Sequence, residues 1–441
     1  MRKIVLLVSL FAMTANMMAA DHVMAATKHA PKQEVSATLN LSLQEAQDYA
    51  VAQNRSLKNA DLAVQKAYAT RWQTIASMLP SVDMSWAYQS MMGYKMNFGG
   101  MPIEMPDNGT LGITASVGIN GQAIVGALLN NTAIEMQKLN LEISEDNLRA
   151  SVKSSYASVL VLEDVVKLLD SSLKNIENLA AMTQRSVEVG AAEQTTADQI
   201  FVRVNTLKNN INANKRSTQL AINALKVLLN VPAETELTLT TQLSDMLSAE
   251  AIVALLGKDF VLENNLSYQT LAKNVELAKK NVHMAGWAYG PTIGVGYQYS
   301  EKDYFGKKEG FNMTPPNALS VQVSMPLWSS GKRAAGVVEK KIALEEARNT
   351  FEETADNLGI QNEQLRYNLQ NAYETYTNEQ ENMGVTQRVF DNTSLKFQQG
   401  VASNLDLVNA SNDLITAQST YVQAVLTLVN AEVELEKFLN L

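Results

Sequence analysis

Long reaches without proline constrain this chain before anything else: none occurs between Pro106 and Pro232, and none follows Pro326. Proline breaks helices by removing a donor and clashing with the preceding turn, so its absence over such lengths admits very long helices. Sixteen of the 21 glycines fall in two windows, 93–126 and 286–336, so turn-rich blocks alternate with uninterrupted ones. Several ordinary globular domains would fit into 441 residues, but they would scatter these breakers more evenly. A two-part plan, repeated twice, accounts for the pattern.

The halves can be overlaid. Asn54 falls on Asn265, Ser56 on Ser267 and Pro80 on Pro291, and "KVLLNV" at 226–231 falls on "EKFLNL" at 436–441. This is a repeat of a whole structural half, far longer than the roughly 20–50 residues of a solenoid unit. The expected division is a first repeat over 27–231, an inter-repeat segment over 232–262 and a second repeat over 263–441.

Each half carries two stretches of strict alternation. From Val82 to Phe98 the even positions are mainly apolar (Val82, Met84, Trp86, Tyr88, Tyr94), while Ser81, Asp83, Ser85 and Gln89 lie between them. Leu111, Ile113, Ala115, Val117 and Ile119 alternate with Gly112, Thr114, Ser116 and Gly118. The second half repeats this with Ile293 to Tyr299 and with Leu319 to Leu327. Period two with one apolar and one small polar face describes a strand between two different environments. Turn-forming segments separate the strands, which predicts β-hairpins over 81–119 and 292–327. Alternation sustained over nine or more residues suits a tilted crossing of an outer membrane, with Trp86, Tyr88, Tyr297 and Tyr299 as an interfacial belt. Four strands cannot close a barrel, and open edges are not tolerated in lipid, so several copies of the chain must share one.

The remaining segments read as helix. From Val159 the apolar positions Leu162, Val166, Leu169, Leu173, Ile176 and Ala180 follow at spacings of three and four, a coiled-coil seam. No Gly or Pro lies between Gly126 and Gly190, a reach of roughly 95 Å at 1.5 Å per residue. Gly359 and Gly384 weaken the matching stretch, Val337 to Gln399. After Gly400 the seam resumes through Leu407, Leu414, Tyr421, Leu428 and Leu435. Long helical hairpins are expected over 121–230 and 330–440. At their ends, Gly190 and Gly400 supply left-handed turns. Ser403 with Asp406, and Thr195 with Asp198, have capping spacing for the returning helices. Ser42 and Glu45 form a similar box ahead of a short first helix.

Composition excludes several functions. Residues 1–26 read as an export signal: Arg2 and Lys3, an apolar run too short to span a bilayer, then small residues. There is no cysteine, hence no disulfide framework. A formal charge of −9 without a basic run gives nothing to bind nucleic acid. Of three histidines only His283 lies beyond residue 37, so no catalytic triad or histidine metal cluster can be assembled. Methionines gather at Met84, Met91, Met92, Met96, Met101 and Met105; four of them lie on or beside an alternating strand, where methionine fills apolar surface, and no metal or cofactor is expected.

An export signal followed by two repeats, each with a helix, a pair of strands and a longer helical hairpin, resembles the TolC family of outer-membrane efflux proteins. The resemblance rests most on "LSLQEAQDYAVAQN", on Leu79–Pro80 and Gly290–Pro291 leading into strands, on "SMPLW" leading out, and on the stretch from Gly400 to Asn440. It implies an α+β membrane protein: a homotrimer with four strands per chain in a 12-stranded β-barrel in outer-membrane lipid, continued by an α-barrel through the periplasm. It further implies passive export rather than catalysis. The partners would be a periplasmic adaptor (membrane fusion protein) and an inner-membrane pump of the resistance-nodulation-division type. The alternatives are an exit duct for secreted polypeptides or a non-conducting coiled-coil envelope protein.

By the same resemblance, Gly190, Ala191, Gly400, Val401, Ala402 and Ser403 are the helix tips that meet the adaptor, and Asp406, Asn409 and Asp198 line the periplasmic aperture. The chain departs from the family pattern here. Asn409 stands where a second aspartate is usual, Ala402 replaces an arginine, and Thr196 replaces its acidic partner.

Overall fold

The computed structural model describes residues 38–190, 192–305 and 315–441. The export signal over 1–26 lies outside them. The described chain divides into two compact units. One comprises Leu62–Lys138 and Thr270–Glu352; the other comprises residues 38–61, Leu139–Gln269 and Glu353–Leu441.

In chain order the elements are β1 (Thr38–Leu41), α1 (Leu43–Gln53), α2 (Arg55–Ala76), β2 (Ser81–Gln89), β3 (Lys95–Phe98), β4 (Met101–Glu104) and β5 (Asn108–Asn120). The long helices α3 (Gly121–Glu188) and α4 (Gln194–Leu229) follow, then β6 (Glu236–Leu239), α5 (Leu243–Met246), α6 (Ala249–Leu256) and α7 (Leu266–Gly286). The chain ends with β7 (Thr292–Tyr304), β8 (Asn317–Ser324), α8 (Lys332–Gln398) and α9 (Asn404–Leu439).

The first unit holds an antiparallel sheet in the order β2-β5-β7-β8. Its register aligns Met84, Ile113 and Tyr299, and also Val82, Ala115, Tyr297 and Leu319. Since side chains alternate across a strand, the apolar residues of all four strands share one face. Ser85, Gly112, Ser116, Gly296 and Ser320 share the other. Both β2 and β8 are exposed along their whole length, and among the described residues each pairs on one side only.

The alternation expected to run from Val82 to Phe98 does not form one strand. β2 stops at Gln89, and Met92 and Gly93 turn the chain with φ of 49° and 72°. Asp107 fixes that turn by accepting hydrogen bonds from Ser90 Oγ, the Met91 amide and Tyr88 Oη at 2.8, 2.8 and 3.0 Å. Among the described residues, β3 and β4 then pair only with each other. A period-two pattern cannot signal this break, because both strands keep it. Met91, Met92 and Met96 therefore lie off the four-stranded sheet, contrary to the expectation that the strand accounts for them.

In the second unit, α3, α4, α8 and α9 share a core built from Leu169, Ile176, Leu179, Ile200, Leu207, Phe390, Leu407 and Leu414. The buried stripe of α3 there is Leu169, Ser172, Ile176, Leu179 and Thr183, so Leu173 and Ala180, expected in the seam, only flank it. Ser172 and Thr183 tolerate burial because their hydroxyls bond back to Leu168 O and Leu179 O. The seam of α9 follows the expected register at Leu407, Leu414, Leu428 and Leu435, all at 3 % exposure or less, while Tyr421, also expected there, is only half-buried. Helix α8 continues through Gly359 and Gly384 without a break.

A further core surrounds Tyr156, whose Oη donates to Leu41 O and accepts from the Thr241 amide. It thereby ties β1 and β6, which pair in parallel. Asn54 and Asn265 do the same work 211 residues apart in sequence. Each accepts from the amide two residues on, at Ser56 and Ser267, and donates to a carbonyl at the end of a long helix, Leu228 and Phe438 respectively. Those helices end alike, on Asn230 and Asn440, both with φ of 54°.

Candidate functional site

The two reversals between long helices lie in the second unit. Helix α3 ends at Glu188 and Gly190 takes φ +74°; helix α8 ends at Gln398 and Gly400 takes φ +71°. A side chain would strain either position, which is why glycine closes each helix. The amides of Ala192 and Ala402 reach back six residues to Ser186 O and Lys396 O. The backbones of the two turns are thus alike.

Their caps are not. Ser403 and Asp406 form a reciprocal box: Ser403 Oγ and the Ser403 amide donate to Asp406 Oδ2 at 2.7 and 2.9 Å, and the Asp406 amide donates to Ser403 Oγ at 3.1 Å. In the first reversal the expected Thr195–Asp198 box does not form. The cap position is Glu193, without a side-chain cap bond, and α4 starts at Gln194. Thr195 Oγ1 donates instead to Glu193 Oε2, and Gln194 Nε2 to Asp198 Oδ1. The restart therefore follows each glycine by the same three residues, and the first tip is not longer, as the Thr195 assignment implied. Side-chain spacing misled here because the backbone turn, not the hydroxyl, sets where the helix begins.

Between the reversals lies a cleft of about 420 Å³ lined by Leu179, Met182, Thr196, Phe397, Gly400 and Ala402, among others. Ala402 and Thr196, the two positions without the family's usual charges, thus border one space. Val189 and Val401 are 79 % and 73 % exposed, leaving apolar surface at both tips. Ala191 lies outside the described residues.

Asp406, Asn409 and Asp198 are all exposed. Asp406 and Asn409 are one turn apart on one face of α9. Hydrogen bonds from the Ser403 hydroxyl and amide hold the Asp406 carboxyl below the usual carboxylate range, so it keeps its negative charge under mild acidity. Trp86, Tyr88, Tyr297 and Tyr299 share the apolar face of the sheet but not one level. In register, Tyr88 is six residues from Val82, which lies level with Tyr297, a span of roughly 20 Å along the strands.

One group that sequence reading missed is Lys153. Its ammonium bridges Glu432 Oε1 at 2.8 Å and Glu436 Oε2 at 2.6 Å, with Glu432 only 7 % exposed. Lys153 lies 279 residues from Glu432, so no local pattern signals such a cluster.

The outer membrane efflux protein family model matches residues 47–231 and 259–441. Over 427 residues the chain is 23% identical to the probable efflux pump outer membrane protein TtgC of Pseudomonas putida, covering 90% of this chain and 83% of that one. It is also 23% identical over 297 residues to the outer membrane efflux protein BepC of Brucella suis, covering 66% of this chain and 63%, just under two thirds, of BepC. Among solved structures CusC, described in terms of transmembrane channel formation, superposes with a TM-score of 0.75 at 16% identity, over 94% of this chain and 95% of that one. With its four-stranded sheet, its paired long helices and a family match over most of its length, this chain belongs to the outer membrane efflux protein family.

Proposed function

We propose that the protein is the outer-membrane exit duct of a tripartite efflux system, passing substrates from an inner-membrane pump and periplasmic adaptor out of a Gram-negative cell. The observation that carries this is the sheet. One face is apolar on all four strands, the other is small and polar, and both edge strands stand open. Such a sheet is stable in lipid only when closed, and three copies joined β2 to β8 make a closed barrel of twelve strands. The family match supports the same reading, as do relatives named as outer membrane components of efflux pumps.

In this proposal each half of the chain is one structural repeat, and export is passive, with no catalytic residue. The tips at Gly190 and Gly400, with exposed Val189 and Val401, receive the adaptor, and the pump is of the resistance-nodulation-division type. Asp406 carries the charge of the aperture, with Asn409 and Asp198 beside it. Trp86, Tyr88, Tyr297 and Tyr299 face the outer-membrane lipid.

Detergent-purified protein is expected to be a trimer and to give discrete conductances in planar bilayers; a non-conducting rod or a monomer refutes the duct. Asp406→Ala is expected to weaken block by multivalent cations several-fold. Because the Asp406 carboxyl is held below its ordinary range, block in the native channel should persist as pH falls toward the usual carboxylate pKa of about 4. Unchanged block in Asp406→Ala reduces Asp406 to a helix cap.

A further inference from the structure

In the four strands of the main sheet only Asp83, Glu301, Lys302 and Asp303 are charged. The last three stand together near one end of β7, in register with Trp86, Ala87 and Tyr88. Asp83 stands apart from them. It is level with Thr114, Gln298 and Ala318, and Thr114 and Gln298 are the middle residues of β5 and β7. Alternation puts Asp83 on the small polar face, between Ser81 and Ser85 along β2 and with Gly112 and Ser116 as its diagonal neighbours on β5.

None of these neighbours is long enough to cover a carboxylate, and Asp83 is exposed. The Ser81 hydroxyl donates to Asp83 Oδ2 at 3.4 Å, a long contact. Lys302, the one cation of the four strands, lies four positions further along the polar face, about 13 Å away, and its ammonium sits 5.4 Å from the centre of the Tyr304 ring. A carboxylate halfway along a sheet whose other face is apolar has to meet water. In a barrel closed from three copies the polar face lines the lumen, so three Asp83 carboxylates share one depth. Twelve strands about 4.8 Å apart and tilted by about 40° enclose a backbone diameter of roughly 24 Å. Charges on such a wall lie about one Debye length from the axis in 0.1 M salt, so their field covers the cross-section.

We propose that Asp83, repeated on three copies, forms an acidic ring at mid-depth in the barrel that favours cationic over anionic solutes on their way out, as rings of carboxylates do in other pores. The inference rests on the duct reading and is separate from Asp406, which lies in the second unit. Reversal potentials of single trimers in planar bilayers, under a salt gradient at or below about 0.1 M, measure the cation-to-anion permeability ratio. Asp83→Asn is expected to lower that ratio roughly twofold or more at low salt, and the difference should shrink toward 1 M. The chain has no cysteine, so Asp83→Cys introduces a single thiol per copy. A sulfonate-bearing methanethiosulfonate should bring the ratio of Asp83→Cys back toward the native value, and a trimethylammonium-bearing one should lower it further. Val82→Cys, next along β2 but on the apolar face, should show no change with either reagent. A conducting channel whose ratio is the same in the native protein and Asp83→Asn, or one in which Val82→Cys responds and Asp83→Cys does not, overturns the ring while leaving the duct intact. Protein that gives no conductance refutes the duct and the ring together.

Discussion

Leu319→Arg is expected to destabilise the protein in lipid by roughly 2–4 kcal/mol, although Leu319 is 74 % exposed in the single chain. Exposure to water would make this substitution nearly silent, since surface changes usually stay within about 0.5 kcal/mol. Exposure to hydrocarbon does not, because an arginine near the bilayer midplane must be dragged to an interface or hydrated in place. Leu319 is the position to test. It lies level with Tyr297, Ala115 and Val82, midway along the apolar face. Ser320 is its control, one residue on and paired with Gly296 on the small polar face, so Ser320→Arg should change stability by less than about 1 kcal/mol. Denaturant titration of protein folded into lipid vesicles measures both. Equal and small effects would mean that the apolar face meets water or protein, and the barrel would have to be abandoned.

What the sequence revealed was whatever repeats locally. Alternation located all four strands of the sheet, and the spacing of Leu407, Leu414, Leu428 and Leu435 fixed the buried seam of α9, because both patterns follow directly from backbone geometry. Ser42 with Glu45, and Ser403 with Asp406, form the expected capping boxes. The misses share a different cause. The turn after Gln89 hides inside an unbroken alternation, because its left-handed residue is Met92 rather than an asparagine or a second glycine. The start of α4 at Gln194 follows a backbone turn, closed by the Ala192 amide on Ser186 O, that no residue type announces. Ser172 and Thr183 enter the α3 seam because a hydroxyl can satisfy itself on its own helix, whereas Leu173 and Ala180 looked better by hydropathy alone. At the candidate site, the positions of Gly190 and Gly400 were legible, but the cleft that brings Ala402 near Thr196 depends on packing between distant segments.

The cluster at Lys153 lies beyond any such local pattern, and it yields the second large effect. Lys153→Met is expected to cost roughly 3–5 kcal/mol, the usual result of removing one partner from a buried ion pair. Methionine keeps most of the volume, so the loss is electrostatic: Glu432, whose Oε2 has no hydrogen-bond partner among the described residues, would be left buried beside Glu436. The pH dependence separates this from simple repacking. Burial pushes the Glu432 carboxyl up, with Glu436 adding to it and Lys153 only partly opposing. Burial also works against the charge on Lys153, but its two carboxylates outweigh that and raise it. Both groups therefore bind protons more tightly when folded, and each contributes stability that is lost as pH rises through its folded pKa. Without the ammonium the Glu432 carboxyl must move higher still. The deficit of Lys153→Met should accordingly be smallest near pH 4, where Glu432 is protonated, and should widen toward pH 8. Thermal midpoints of detergent-solubilised protein across that range measure it, and adding Glu432→Gln should recover part of the loss at the upper end. A deficit that does not change with pH would assign Lys153 a packing role and leave the carboxylates out of the account.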